Sequence, residues 1–462
     1  MKITKYTKYI AAGTLLLFLW QCEPAIDEFS PSAGDIDLTS FVAIGDSYSA
    51  GYTDGALGYS GQMSSFPNIM AQQFKVVGMT SDFKQPLTPE GTSVGTTELA
   101  PGVLNGYYYL STSSGTLAPT TGPGDSDLLL EPSNWINSSA PFNNVAVPGA
   151  KSFHLIAPGY GNFNNGTGNY NPFYTRFASN PLTSSILNDA MLVNPTFFSL
   201  WIGGNDVLLY ALEGGEAGSI TDIGTFTYSI NTVVNTLVSD GAKGVIANIP
   251  DINTLPYFNT VPYNLLTLDA ASATALNGAY AQYNAQIADP AGLPLIYFEE
   301  GNNAPVVEDP DLTMLPAQYR FRQIKIDEKI LLNIPQDSIK NSGWGSSKPI
   351  PASYVLDETE ISDISNAIDG YNNVIESISS DKGLAIVDIN GFMNKLKNGM
   401  MIDGNVYTTE FISGNVLSLD GIHATSRGYA IIANEFIKSI NKEYNTSIPL
   451  VNINDYATVK FP

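Results

Sequence analysis

One cysteine, two histidines and 21 basic residues are all that 462 positions hold of those types. A single cysteine, Cys22, cannot form an intrachain disulfide. Against 44 acidic residues the net charge is −23, and no basic run is present to neutralise phosphates. That argues against a nucleic-acid partner and against an anionic membrane face. Two histidines and one cysteine leave no transition-metal cluster, so neither metal nor cofactor is expected. Only 14% of residues are charged, so the abundant loops implied by 41 Gly and 28 Pro must be largely uncharged. A hydrophobic content of 44% is ample for a large core.

The apolar run Ile10 to Trp20 is broken by Gly13 and Thr14. It is shorter than the roughly 20 residues a membrane span needs. Preceded by Lys2, Lys5 and Lys8, it fits the h-region of a secretory signal. Leu19-Trp20-Gln21-Cys22 resembles a bacterial lipoprotein signal, although Gln21 stands where a small residue is usual. The resemblance implies removal of residues 1–21 and acylation of Cys22, followed by a flexible acidic tether over 22–36. It implies export to the cell envelope, at the outer membrane or cell surface, with the lipid as the sole membrane contact.

Apolar runs at Phe41–Ile44, Val145–Val147, Phe197–Ile202, Gly244–Ile249 and Leu384–Val387 read as strands covered on both faces. Between them lie helical stripes. Phe226, Ile230, Val233, Val234 and Leu237 share a face, with Gly241 as a stop. Ile361 to Ile378 repeat at steps of three and four, preceded by Asp357 and Glu360 at capping-box spacing. Ile432 to Ile440 mark a last helix. This alternation predicts an α/β fold: a three-layer α/β/α sandwich on a parallel sheet. Residues 79–141 and 290–356, the latter with a possible strand at Leu293–Phe298, break the rhythm and read as insertions into one domain spanning 37–462.

The first strand runs into Gly45-Asp46-Ser47. A phosphate loop would need a nearby Lys, and none follows. A serine nucleophile needs a base, an orienting group and oxyanion donors. His423 lies three residues after Asp420, a spacing that in a tight loop sets the carboxylate on one imidazole nitrogen and frees the other. His154 has no acid nearby and reads as a loop residue. Two further strands end on possible donors: Gly149, where a backbone N–H can approach closely, and Asn205, whose carboxamide can donate. All three motifs follow strands, at the carboxyl edge where open α/β sheets bind ligands.

The ordered set Gly45-Asp46-Ser47-Tyr48, Gly149, Gly203-Gly204-Asn205-Asp206 and Asp420-Gly421-Ile422-His423 resembles the SGNH/GDSL hydrolase family. The resemblance implies a flavodoxin-like sandwich with a five-stranded parallel sheet. It also implies a serine esterase or lipase in which Ser47 is the nucleophile, His423 the base and Asp420 its orienter. The N–H groups of Ser47 and Gly149 and the Asn205 side chain would form the oxyanion hole, at the start of a helix whose dipole helps. Tyr48 stands where the family usually has Leu, and Ala424 where it often has Pro. The implied substrates are acyl, lipid or acetylated-carbohydrate esters. Aromatic sets after Gly149 (Phe153 to Phe177) and after the fourth strand (Leu255 to Leu266) either wall the cleft or pack the insertions. A binding lipoprotein that keeps the fold without turnover is the alternative; such a chain should have lost a catalytic residue, and none is missing.

Overall fold

Seven of the ten elements that position the site, four strands and three helices, follow from the apolar runs and stripes. The computed structural model describes residues 30–113, 117–166 and 168–462. The expected signal and Cys22 lie outside the described residues. In chain order the principal elements are β1 (Phe41–Gly45), α1 (Ser47–Ala50), α2 (Phe66–Val76), β2 (Phe197–Trp201) and α3 (Asn205–Leu212). They continue with α4 (Ile223–Leu237), β3 (Lys243–Ala247), α5 (Glu358–Lys382), β4 (Ala385–Val387) and α6 (Ser426–Glu443). The four strands pair in parallel in the order β1-β2-β3-β4.

The fifth expected strand, Val145–Val147, is a ladder without a full strand. Ala43 N donates to Asn143 O at 2.7 Å, Val145 N to Ala43 O at 3.0 Å and Val147 N to Gly45 O at 3.0 Å. A parallel bridge joins Ala43 to Asn144. The segment therefore flanks β1 on its outer side, and the five positions fall in the order 2-1-3-4-5 of flavodoxin-like sheets. Chain direction across the sheet reverses at β1, and that switch point is where such sheets take ligands.

Helices cover both faces. Phe41 and Phe197 meet Phe74 of α2 at 5.0 and 5.7 Å between ring centres, and Trp201 meets Phe66 of α2 and Phe436 of α6. On the other side α4 packs on α5, with Phe226 stacked on Tyr371 at 4.0 Å. The start of α5 is the expected box: Glu360 N donates to Asp357 Oδ1 at 2.9 Å and Asp357 N to Glu360 Oε2 at 2.8 Å. The stop of α4 falls earlier than Gly241, at Val238; Gly241, with φ +88°, makes the turn into β3.

Leu293–Phe298 is not a strand. Its main chain is satisfied by side-chain amides instead: Asn284 pairs with both N and O of Ile296, and Asn277 with both of Phe298. This region carries its own apolar clusters, one around Tyr280, Tyr283 and Phe298 and one around Val307, Ile330 and Ile350. Among the described residues no helix is long and apolar enough to cross a membrane.

Candidate active site

Gly45 closes β1, and its φ is not left-handed. The turn does not require glycine there; space does, because a Cβ would run into Ser49 and the Trp201 carbonyl. Asp46 caps the helix that follows, its Oδ1 accepting from Tyr48 N at 3.1 Å. That helix, α1, is a single turn ended by Gly51 at φ +83°. A macrodipole built from so few peptides is small, so any help to an anion here comes from local N–H groups rather than the expected dipole.

The hydroxyl of Ser47 and the imidazole of His423 are 376 positions apart in sequence, and Oγ lies 2.8 Å from Nε2. On the other side of the ring, Nδ1 is 2.9 Å from Asp420 Oδ2. Both Ser47 and His423 are buried, and the imidazole lies between Tyr48 and Tyr52, with ring centres at 5.3 and 4.7 Å. The Asp420 side chain is about nine-tenths covered, 10% exposed. Burial alone would raise its carboxyl, but His423 beside it and the hydrogen bonds it accepts hold it well below the usual carboxylate range. Those bonds come from Gly55 N at 2.8 Å, Ile422 N at 2.9 Å, His423 N at 2.8 Å and Ser418 Oγ at 3.1 Å.

The two segments that meet here are laced together. Tyr48 Oη donates to Ile422 O at 2.6 Å, Thr53 Oγ1 to Ala424 O at 2.9 Å and Asp54 N to Ser418 Oγ at 2.9 Å. Tyr48, the departure from the family's Leu, thus fixes the loop that carries His423. Gly421, at φ +73°, lets that loop turn against the backbone of Tyr257.

Gly149, at φ +78°, follows the segment paired with β1. Its loop is tied to α3: Asn205 Nδ2 donates to Ala150 O at 3.0 Å, and Asp206 accepts from Ser152 N at 2.8 Å and Ser152 Oγ at 2.7 Å. Asn205 keeps a second amide hydrogen free for another acceptor. Gly45 pairs with Trp201 across the sheet, so Ser47, Gly149 and Asn205 all leave the same edge at the switch point. The model described as GDSL-like Lipase/Acylhydrolase matches residues 41–436, which include all of these positions.

The chain belongs to the GDSL-like lipase/acylhydrolase family. It is accordingly a serine hydrolase acting on ester bonds. No curated protein matches it. Among solved structures it is similar to an extracellular lipase from Streptomyces rimosus, with 12% identity over 88% of this chain and 99% of that chain, at a TM-score of 0.31.

An apolar cleft opens beside this GDSL site. Tyr48, Trp201, Leu208, Ile249, Leu255 and Ile422 form its walls, Asp46 and Gly204 line it, and its volume is about 30 Å³. None of the aromatic set after Gly149 (Phe153 to Phe177) lines it, and Phe173, Tyr174 and Phe177 are buried in the main core. His154 stacks on Tyr160 at 4.1 Å, and its Nδ1 accepts from Lys151 N at 3.0 Å. Burial and Lys151 push its imidazole down to about 4. It is a neutral packing residue. From the second aromatic set Leu255 alone joins the cleft wall, while Tyr263 and Leu265 pack in a separate cluster. Sequence reading missed Gly55, Ser418 and Asp206. Only Asp206, adjacent to Asn205, carried a signal.

Proposed function

We propose that this GDSL hydrolase works through a Ser47–His423–Asp420 triad and an oxyanion hole made by the N–H groups of Ser47 and Gly149 and the Asn205 amide. The observation that carries this reading is the unbroken hydrogen-bonded line from Ser47 Oγ through His423 to Asp420. His423 Nε2 takes the serine proton as Oγ bonds to the ester carbonyl carbon. The carbonyl oxygen becomes an oxyanion facing the three donors. Collapse releases the alcohol, which leaves with the proton from His423. Water then repeats the sequence on the acyl-enzyme, giving the carboxylic acid and free Ser47. Asp420, held ionised, keeps the imidazole oriented and favours its protonated form in each transition state.

The substrate we infer is an ester of a short acyl group, seated in the apolar cleft; an acetylated carbohydrate and a small acyl ester both meet that description. Ser47→Ala should abolish hydrolysis of p-nitrophenyl acetate while the cooperative melt persists. Turnover at the parent rate in that variant would overturn the assignment. We also propose that Cys22 is the lipidated N-terminus of an exported envelope protein, as its place after a short apolar run suggests. Mass spectrometry of the mature N-terminus should find an acylated residue 22; an unmodified one refutes the anchor.

A further inference from the structure

Residues 79–141 supply nothing to the proposed triad or oxyanion hole, yet they hold the peptide that holds the acid. Oδ2 of Asp420 accepts from two groups, His423 Nδ1 at 2.9 Å and Gly55 N at 2.8 Å. Gly55 is left-handed, at φ +74°, and a side chain there would strike the ring of Tyr108. Both peptide planes flanking it are pinned from the 79–141 segment. The Asp54 carbonyl shares a plane with Gly55 N and accepts from Tyr108 N at 2.7 Å. The Gly55 carbonyl belongs to the next plane and accepts from Asn105 Nδ2 at 2.9 Å.

Asn105 is only 1% exposed, deeper than its polarity alone would allow. Its amide is fully used: Nδ2 also donates to Gly106 O at 2.9 Å, and Oδ1 accepts from Thr97 N at 2.8 Å. Its main chain is fixed by a bond from Asn105 N to Thr97 O at 2.9 Å and one from Gly95 N to Asn105 O at 2.7 Å. It is a rigid post, anchored on one side and touching Gly55 on the other.

We propose that Asn105 is a positioning residue for the triad acid. By holding the Gly55 carbonyl it fixes the plane after Gly55, and with Tyr108 N holding the Asp54 carbonyl before it, the left-handed turn at Gly55 is locked with its N–H aimed at Asp420 Oδ2. That N–H is a charge-assisted donor to a largely covered carboxylate, stronger than a neutral pair. With it aligned, the Asp420 carboxylate cannot rotate away from His423 Nδ1. Without it, the imidazole loses orientation before the substrate loses any contact. The cost then falls on kcat and leaves KM nearly unchanged. This proposal rests on the triad reading above.

The test measures kcat, KM, their pH dependence and thermal melts on p-nitrophenyl acetate for five proteins: the parent, S47A, N105D, N105S and W135F. N105D keeps shape and the acceptor for Thr97 N but removes both donors. Gly55 O still accepts from Tyr52 Oη at 2.8 Å and Gly106 O from Thr121 Oγ1 at 2.9 Å, so neither carbonyl is orphaned. W135F deletes a bond from Trp135 Nε1 to Leu129 O, 3.2 Å long, in the same segment but away from Gly55. We expect kcat of N105D and N105S to fall about 10- to 100-fold, as misplacement of a reacting group does, with KM within about twofold. The N105D deficit should shrink at low pH, where protonation of the new carboxyl restores a donor. W135F should keep the parent kcat. Folded N105D or N105S with kcat within about twofold of the parent overturns the proposal, as does an equal loss in W135F. Should N105D not melt cooperatively, N105S decides. S47A turning over at the parent rate would instead sink the triad reading itself, a distinct result.

Discussion

Asp46 illustrates how a residue beside Ser47 links the candidate site to pH. It caps α1 and lines the cleft, with 4% of its surface exposed. Burial pushes its carboxyl up from 3.8 to about 7, with Asp206 adding to the rise and Tyr48 N and His423 opposing it. A folded value above the unfolded one means that the native state binds the extra proton between roughly pH 4 and 7. Asp46 therefore favours folding at low pH, and that contribution is lost as pH climbs through this window. Asp420 has the opposite sign: its lowered value gives stability that is present above the ordinary carboxylate range and lost on acidification. Asp46→Asn retains an acceptor for Tyr48 N and removes the titration. Its melting temperature relative to the parent should therefore be higher at pH 8 than at pH 5. Equal differences at the two pH values would show that Asp46 does not titrate as described. In the sequence Asp46 is only the middle of the Gly45-Asp46-Ser47 motif; neither its cap nor its burial is legible there, because the groups that cover it come from β2, α3 and the Ile422 loop.

At the scale of the element, β4 shows how a strand of three residues stays in the sheet. Its pairing with β3 is short, and the ladder at its entry is finished by a side chain. The hydroxyl of Tyr444, just past the end of α6, donates to Gly244 O at 2.6 Å and accepts from Ala385 N at 3.2 Å. One buried hydroxyl thus ties α6 to the entry of both strands. Gly244 is itself required by space, since a Cβ there would press on the ring of Phe198 in β2. Tyr444→Phe keeps the ring against Phe197 and deletes only the bridge. Deleting two hydrogen bonds at this buried ladder end should cost about 1–3 kcal/mol. The variant should melt at lower temperature with kcat on p-nitrophenyl acetate unchanged, since the bridge lies at the amino ends of β3 and β4, opposite the edge that carries Ser47. An unchanged melting temperature would show that water replaces the hydroxyl without loss.

Across the whole molecule, what could be read from sequence and what could not divide by the kind of hydrogen bond involved. β1 to β4, α4, α5 and α6 were legible because apolar periodicity fixes them. Ser47, Gly149, Asn205, Asp420 and His423 were legible because each sits in a short motif after a strand or before a helix. The hidden parts depend on asparagine amides that stand in for peptide groups: Asn143 on Phe41 O beside β1, Asn277 and Asn284 along 296–298, and Asn105 on Gly55. No pattern distinguishes such an asparagine from one in a solvated loop. The cleft was hidden for a related reason, as its walls come from four separate stretches of chain. Its size nevertheless makes a sharp prediction. The enclosed space is small, about 30 Å³, which favours the proposed short acyl unit over a long chain. A cleft that accepted every added methylene would gain about 0.8 kcal/mol each, close to fourfold in kcat/KM per carbon. Along the p-nitrophenyl series from acetate through butyrate to octanoate, kcat/KM should therefore stop rising by butyrate and decline beyond it. The blocking side chains are known, so the same logic runs in reverse: Leu208→Ala should move the optimum to longer chains without lowering the rate on acetate. A steady rise to octanoate in the parent would mean that Trp201, Leu208 and Ile422 part to admit the chain, and the short-acyl reading would fall.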